Sequence, residues 1–89
     1  MHKKLTELAI NLYKEGPEQR NIWERAGGDI SKLTNHVSRE ENWQKAIDLL
    51  NLGGGGNSIK AYTLLEQMQE DYPNNKDLKT LVIYFNELL

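Results

Sequence analysis

The sequence predicts an all-α fold, a compact six-helix bundle, and three observations lead there. Apolar residues recur at the three-to-four spacing of a helix along nearly the whole chain. No segment of four or more residues alternates with the period of two that a half-buried strand needs. Glycine and proline fall between the periodic stretches rather than inside them. At 89 residues the chain is one domain, 1–89, with room for a single core.

Each element follows from its stripe. Leu5, Leu8, Ala9 and Leu12 stand at i, i+3, i+4 and i+7, which predicts a helix over 3–15. Gly16-Pro17 ends it, and Pro17 suits the first turn of the next helix, where its missing N–H would be unpaired anyway. Gln19, Ile22, Trp23 and Ala26 form the second stripe, over 17–27, stopped by Gly27-Gly28. Asp29 caps a short third helix over 29–36, with Ile30, Leu33 and Val37 facing inward. Ser38-Arg39-Glu40-Glu41 is a capping box that opens a helix over 39–52, whose inner face is Trp43, Ala46, Ile47 and Leu50. The four glycines 53–56 close it. Asn57 or Ser58 caps the fifth helix, 58–72, with Ala61, Leu64, Leu65, Met68 and Tyr72 on one stripe. Pro73 stops that helix and Asn74 caps the last, over 75–88, where Leu78, Leu81, Val82, Phe85 and Leu89 repeat the spacing and Asp77 suits the first turn. Connections this short make neighbouring helices fold back on one another. The chain ends on Asn86-Glu87-Leu88-Leu89, still inside a helical pattern, so the expectation is a piece of a longer protein or a small adaptor.

Charge and composition narrow the function. Eleven basic against 13 acidic residues give a formal charge of −2, so no basic excess exists to neutralise phosphates and nucleic acid is not an expected partner. There is no cysteine, which excludes disulfides, thiolate zinc sites and a cysteine nucleophile, and fits a reducing compartment. Met1-His2-Lys3-Lys4 is followed by Thr6, Glu7 and Asn11, not by the apolar run of a signal peptide. Nor is there a stretch of about 20 apolar residues to span a bilayer. A cytoplasmic protein without membrane contact is expected.

The chemistry-bearing residue types read as structural. The run Gly53-Gly54-Gly55-Gly56-Asn57-Ser58 precedes a helix, but no strand leads into it and no Gly-Lys-Ser/Thr follows, so it reads as a flexible inter-helix loop rather than a phosphate cradle. An engineered linker would look the same. His2 and His36 are the two histidines, and zinc needs three or four ligands; His36 sits in a polar hinge, Thr34-Asn35-His36. Ser31, Ser38 and Ser58 stand at helix starts, where hydroxyls cap. The neighbouring acids Glu40-Glu41 and Glu70-Asp71 diverge around a helix instead of converging across a cleft, and read as solvated surface. No catalytic, cofactor or metal residue is expected. Trp43 reads as a core anchor; Trp23 reads as core, with an exposed interface anchor as the alternative. The outward positions carry both signs: Lys4, Glu7, Asn11 and Lys14 on the first helix, Arg20, Glu24 and Arg25 on the second, Glu41, Lys45 and Asp48 on the fourth.

Four stretches together resemble a known family: Asn42-Trp43-Gln44-Lys45-Ala46-Ile47-Asp48-Leu49-Leu50, then Gly53-Gly54-Gly55-Gly56-Asn57, then Leu64-Leu65-Glu66-Gln67-Met68, then Asp71-Tyr72-Pro73-Asn74-Asn75-Lys76-Asp77-Leu78. With Ala26-Gly27-Gly28-Asp29-Ile30-Ser31-Lys32-Leu33 they resemble the type-1 effector-associated domain, a bacterial death-like domain of conflict systems. The Tyr72-Pro73-Asn74 junction also resembles tetratricopeptide repeats, whose helical scaffold would bind a peptide or partner protein, although no self-similarity appears at ~34 residues. The effector-associated resemblance implies a death-like fold and a non-catalytic adaptor. It also implies homotypic protein partners, possible homo-oligomers, and effectors such as caspase-like or trypsin-like peptidases and TIR domains in bacterial immunity or programmed cell death. Death-like folds associate head to tail through distinct surfaces. The expectation carried over is that Lys4, Lys14, Lys45 and Asp48 on one copy meet Arg20, Glu24, Asp29 and Lys32 on the next.

Overall fold

A computed structural model describes residues 2–33 and 39–87. Five α-helices occur among them: α1 (His2–Leu12), α2 (Ile22–Arg25), α3 (Arg39–Asn51), α4 (Ala61–Asp71) and α5 (Lys76–Glu87). Two single turns of 3-10 helix, Gln19–Asn21 and Ile30–Lys32, flank α2, and no strand occurs among the described residues. The all-α expectation holds, and the described residues carry five α-helices where six are expected. The second expected helix, 17–27, shrinks to α2 because Arg20 and Asn21 take left-handed φ values of 54° and 56°, which interrupt a right-handed path. Of the third, 29–36, the described residues form one 3-10 turn, with the Asp29 carboxylate accepting from the Ser31 N–H at 3.0 Å as expected of a cap. The Ser38 cap, the Thr34-Asn35-His36 hinge, Val37 and Leu89 lie outside the described residues.

Two expected caps move by a residue or more. At the start of α5 the side chain of Asn75, not Asn74, accepts the Leu78 N–H at 3.0 Å. At α4 neither Asn57 nor Ser58 caps: the Lys60 N–H donates to Thr63 Oγ1 at 2.9 Å, and that hydroxyl donates to the Ala26 carbonyl at 2.8 Å.

Packing follows the stripes. α1 lies against α3, α4 lies between α2 and α5, and α1 also touches α5. The core receives Leu5, Leu8 and Ala9 from α1, Trp43, Ala46, Ile47 and Leu50 from α3, Leu64, Leu65 and Met68 from α4, and Leu78, Leu81 and Phe85 from α5. Trp23 is fully buried with Trp43, edge to face at 6.4 Å between ring centroids, so it is core and not an exposed anchor. Tyr13 continues the α1 stripe one step past the helix. It is fully buried, its ring stands edge-on to Tyr72 at 5.7 Å, and its carbonyl accepts the Trp43 indole N–H at 2.8 Å.

The glycine run is a packed junction rather than a flexible loop. Gly54 N–H bonds back to Leu49 O at 2.8 Å and Gly53 N–H to Leu50 O at 3.0 Å, the paired closure of a helix end that wants a left-handed residue, and Gly53 has φ 88°. Beyond it, the Gly55 carbonyl accepts two donors, the Trp23 indole N–H at 2.9 Å and the Asp29 N–H at 2.8 Å. A Cβ on Gly56 would stand 2.6 Å from Gly28 Cα, and one on Gly55 2.7 Å from the Trp23 ring, so two glycine backbones close on each other around one indole.

This contact predicts unequal effects of alanine within the run. Gly53 faces open space, and its replacement costs only the left-handed backbone, about 1 kcal/mol. Gly56→Ala must also push two backbones apart and is expected to cost about 2 to 4 kcal/mol. Urea denaturation midpoints of the two variants measure the difference, and equal losses would contradict the junction.

Candidate protein-interaction surface

All eight residues expected to make protein contacts are exposed. Lys4 stands on α1 and Lys14 in the turn two residues beyond its end. Lys45 and Asp48 lie one turn apart on α3, which packs against α1, so one helix pair with its following turn carries this group. Arg20, Glu24, Asp29 and Lys32 all fall in the segment 19–32 around α2. Among the described residues the side chains of Lys4, Lys14, Glu24, Lys32, Lys45 and Asp48 enter no hydrogen bond or ion pair.

The remaining two are engaged within their own chain. The Asp29 carboxylate accepts from both the Ser31 hydroxyl, at 2.6 Å, and the Ser31 N–H, and these two bonds, the hydroxyl first, hold it below the usual carboxylate range. Arg20 stands with Nη1 3.9 Å from Asp71 and its guanidinium 5.8 Å from the centre of the Tyr72 ring.

Asp71 is the hub of that cluster, which corrects its reading as solvated surface, while Glu70 is exposed as expected. Its side chain is only 14% exposed. Arg25, exposed as expected, grips Asp71 with both terminal nitrogens, at 3.1 and 3.2 Å, while donating to Gln67 and to the Arg20 carbonyl. The Tyr13 hydroxyl donates to the same carboxylate at 2.6 Å. Burial pushes Asp71 up, but the bonds from Arg25 and Tyr13 outweigh it and hold the carboxyl below its ordinary value. Burial and then the bond to Asp71 push the Tyr13 phenol far up. One carboxylate thus ties the end of α1, α2 and the end of α4 together. The signal was present in the spacing, since Asp71 stands at i+3 from Met68 and i+7 from Leu64, on the buried stripe.

Beside α2 a cleft of about 400 Å³ opens, with Pro17, Ile30 and Leu33 supplying apolar wall and Glu18, Asn21 and Glu24 polar rim. Only Glu24 of these was singled out from sequence as a contact residue. Among the described residues no group of three or more His, Cys, Asp or Glu is placed to hold a metal ion, and no helix is long and apolar enough to cross a membrane. The described surface thus carries unpaired charges of both signs and an acidic, partly apolar cleft.

The Asp71 hub makes acid stability the measurable consequence. A carboxyl held low in the fold and titrating near ~3.9 when unfolded stabilises fully above that value, and the gain is lost as pH falls through the folded value. Asp71→Asn is expected to cost about 1 to 3 kcal/mol at neutral pH. It should also flatten the loss of stability below about pH 4. Parallel acid-unfolding curves for the two proteins would contradict the assignment.

No curated protein and no solved structure matches the chain. The model of one family, described as Effector-associated domain 1, matches residues 2–85. That span takes in every stretch on which the resemblance rests and all five helices nearly to their ends. The chain therefore belongs to the effector-associated domain 1 family.

Proposed function

We propose that this domain is a non-catalytic adaptor that recruits or clusters effectors by homotypic contact with matching domains. Its bundle is read as a death-like fold and its setting as the bacterial cytoplasm. The effectors in view are caspase-like or trypsin-like peptidases and TIR domains, acting in bacterial immunity or programmed cell death. Family membership over 2–85 supports the effector association. The observation that carries the contact mechanism is the set of six exposed charges, Lys4, Lys14, Glu24, Lys32, Lys45 and Asp48, that find no partner among the described residues of their own chain.

In this reading Lys4, Lys14, Lys45 and Asp48 face Glu24 and Lys32 of a neighbour. Arg20 and Asp29 contribute charge at the margin while holding their own chain together. The two surfaces differ, so the contact is head to tail and leaves a free surface at each end on which further copies add. Exposed ion pairs contribute only ~0 to 1 kcal/mol each, so affinity comes from several acting at once and is screened by salt. Complementary charge mainly sets encounter rate and partner choice, which suits a module that must find its own kind.

Light scattering after size exclusion is expected to show a mass that rises with concentration and falls with added salt. The reversal Lys45→Glu should weaken self-association about three- to tenfold with the thermal unfolding midpoint unchanged. A strict monomer at every concentration and salt, with no binding to a matching domain, would contradict the reading.

A further inference from the structure

The acidic cleft beside α2 and the outer face of α5 complement each other, and neither is satisfied within one chain. The cleft pairs an apolar wall, Pro17, Ile30 and Leu33, with the carboxylates of Glu18 and Glu24, which have no cation among the described residues. On α5, Lys76, Lys79 and Ile83 stand at i, i+3 and i+7, one stripe of the helix. Ile83 is 60% exposed and its neighbour Tyr84 38%, in a helix whose other face is sealed by Leu78, Leu81 and Phe85. Both lysines are exposed and form no side-chain bond or ion pair among the described residues. The stripe is thus aliphatic and cationic where the cleft is aliphatic and anionic.

We propose that this cleft receives the α5 stripe of a second copy of the chain, with Ile83 against Pro17, Ile30 and Leu33, and Lys76 and Lys79 beside Glu18 and Glu24. This deepens the homotypic reading and rests on it. The same chain cannot make the contact internally, because α5 is fixed against α4 and α1 by its buried face, while the cleft is walled by residues between 15 and 33 and by Asn42 of α3. A single helix stripe in a cleft of this size covers less than the ~1,600 Å² of a standard interface, so each contact is weak and assemblies hold by many copies.

Two charge-swapped proteins test this without depending on any one variant's stability. In the first, Glu18→Lys and Glu24→Lys reverse the cleft; in the second, Lys76→Glu and Lys79→Glu reverse the stripe. The second pair places acids in the first turn of α5, where they favour the helix. Each protein alone is expected to self-associate at least about tenfold more weakly than the unaltered chain. An equimolar mixture should regain association, since the reversed cleft of one then faces the reversed stripe of the other, and the unaltered surfaces also pair. Light scattering and interference-based titration read all three samples. If the second protein associates as well as the unaltered chain, or if mixing restores nothing, the cleft and α5 are not partners, while self-association of the unaltered chain keeps the homotypic reading intact. An unaltered chain that never associates overturns both.

Discussion

One hydrogen bond organises this domain, the one from the Trp23 indole to the Gly55 carbonyl, 32 residues away. It joins two turns that are distant in sequence. The indole fills the space that side chains at Gly28 and Gly55 would need, so the backbones of residues 27–28 and 55–58 approach closely and bond directly, Asp29 to Gly55 and Ser58 to Gly27. With those turns fixed, α3 ends where α4 can begin, and α2 is held against α4. The same tryptophan packs on Trp43, whose own N–H is anchored to Tyr13, so the junction continues as an aromatic chain to the end of α1. Buried aromatic rings with their polar atoms satisfied supply both apolar area and directional constraint, which a domain this small needs.

The Asp71 cluster is the electrostatic counterpart at the far end of that chain. Tyr13 belongs to both, touching Trp43 with its carbonyl and Asp71 with its hydroxyl. Arg20 and Arg25 are therefore spent on intramolecular work, and the surface left for partners is narrower than a count of charged residues suggests. What stays uncommitted is split between the α1–α3 pair, the segment around α2, and the α5 stripe.

Much of the fold was legible from the period of three to four, because a stripe such as Leu64, Leu65, Met68 or Leu78, Leu81, Phe85 needs only local spacing to be read. The Asp29 cap and the closure at 53–56 were legible for the same reason. Three features were not. Left-handed φ at Arg20 and Asn21 shortens the second helix through a backbone choice that no side-chain pattern announces. Asp71 and Tyr13 lie on core stripes but are polar, and their burial depends on each other and on Arg25. The glycine run looked like a flexible loop because its partner, Trp23, is distant in sequence. Of the candidate surface, the exposure of all eight residues was foreseen, whereas the cleft arises only when Pro17, Ile30 and Leu33 are brought together by the turns around α2.

The function proposed for this domain is contact with copies of itself. Amide proton–nitrogen spectra recorded over a concentration series test it most directly, because they register weak association residue by residue. Self-association predicts concentration-dependent shifts in the segment 18–33 together with the surface that meets it on the next copy, the α1–α3 pair or α5, with the buried Trp23 and Trp43 indole signals unmoved. A spectrum that stays the same across the whole series would contradict it.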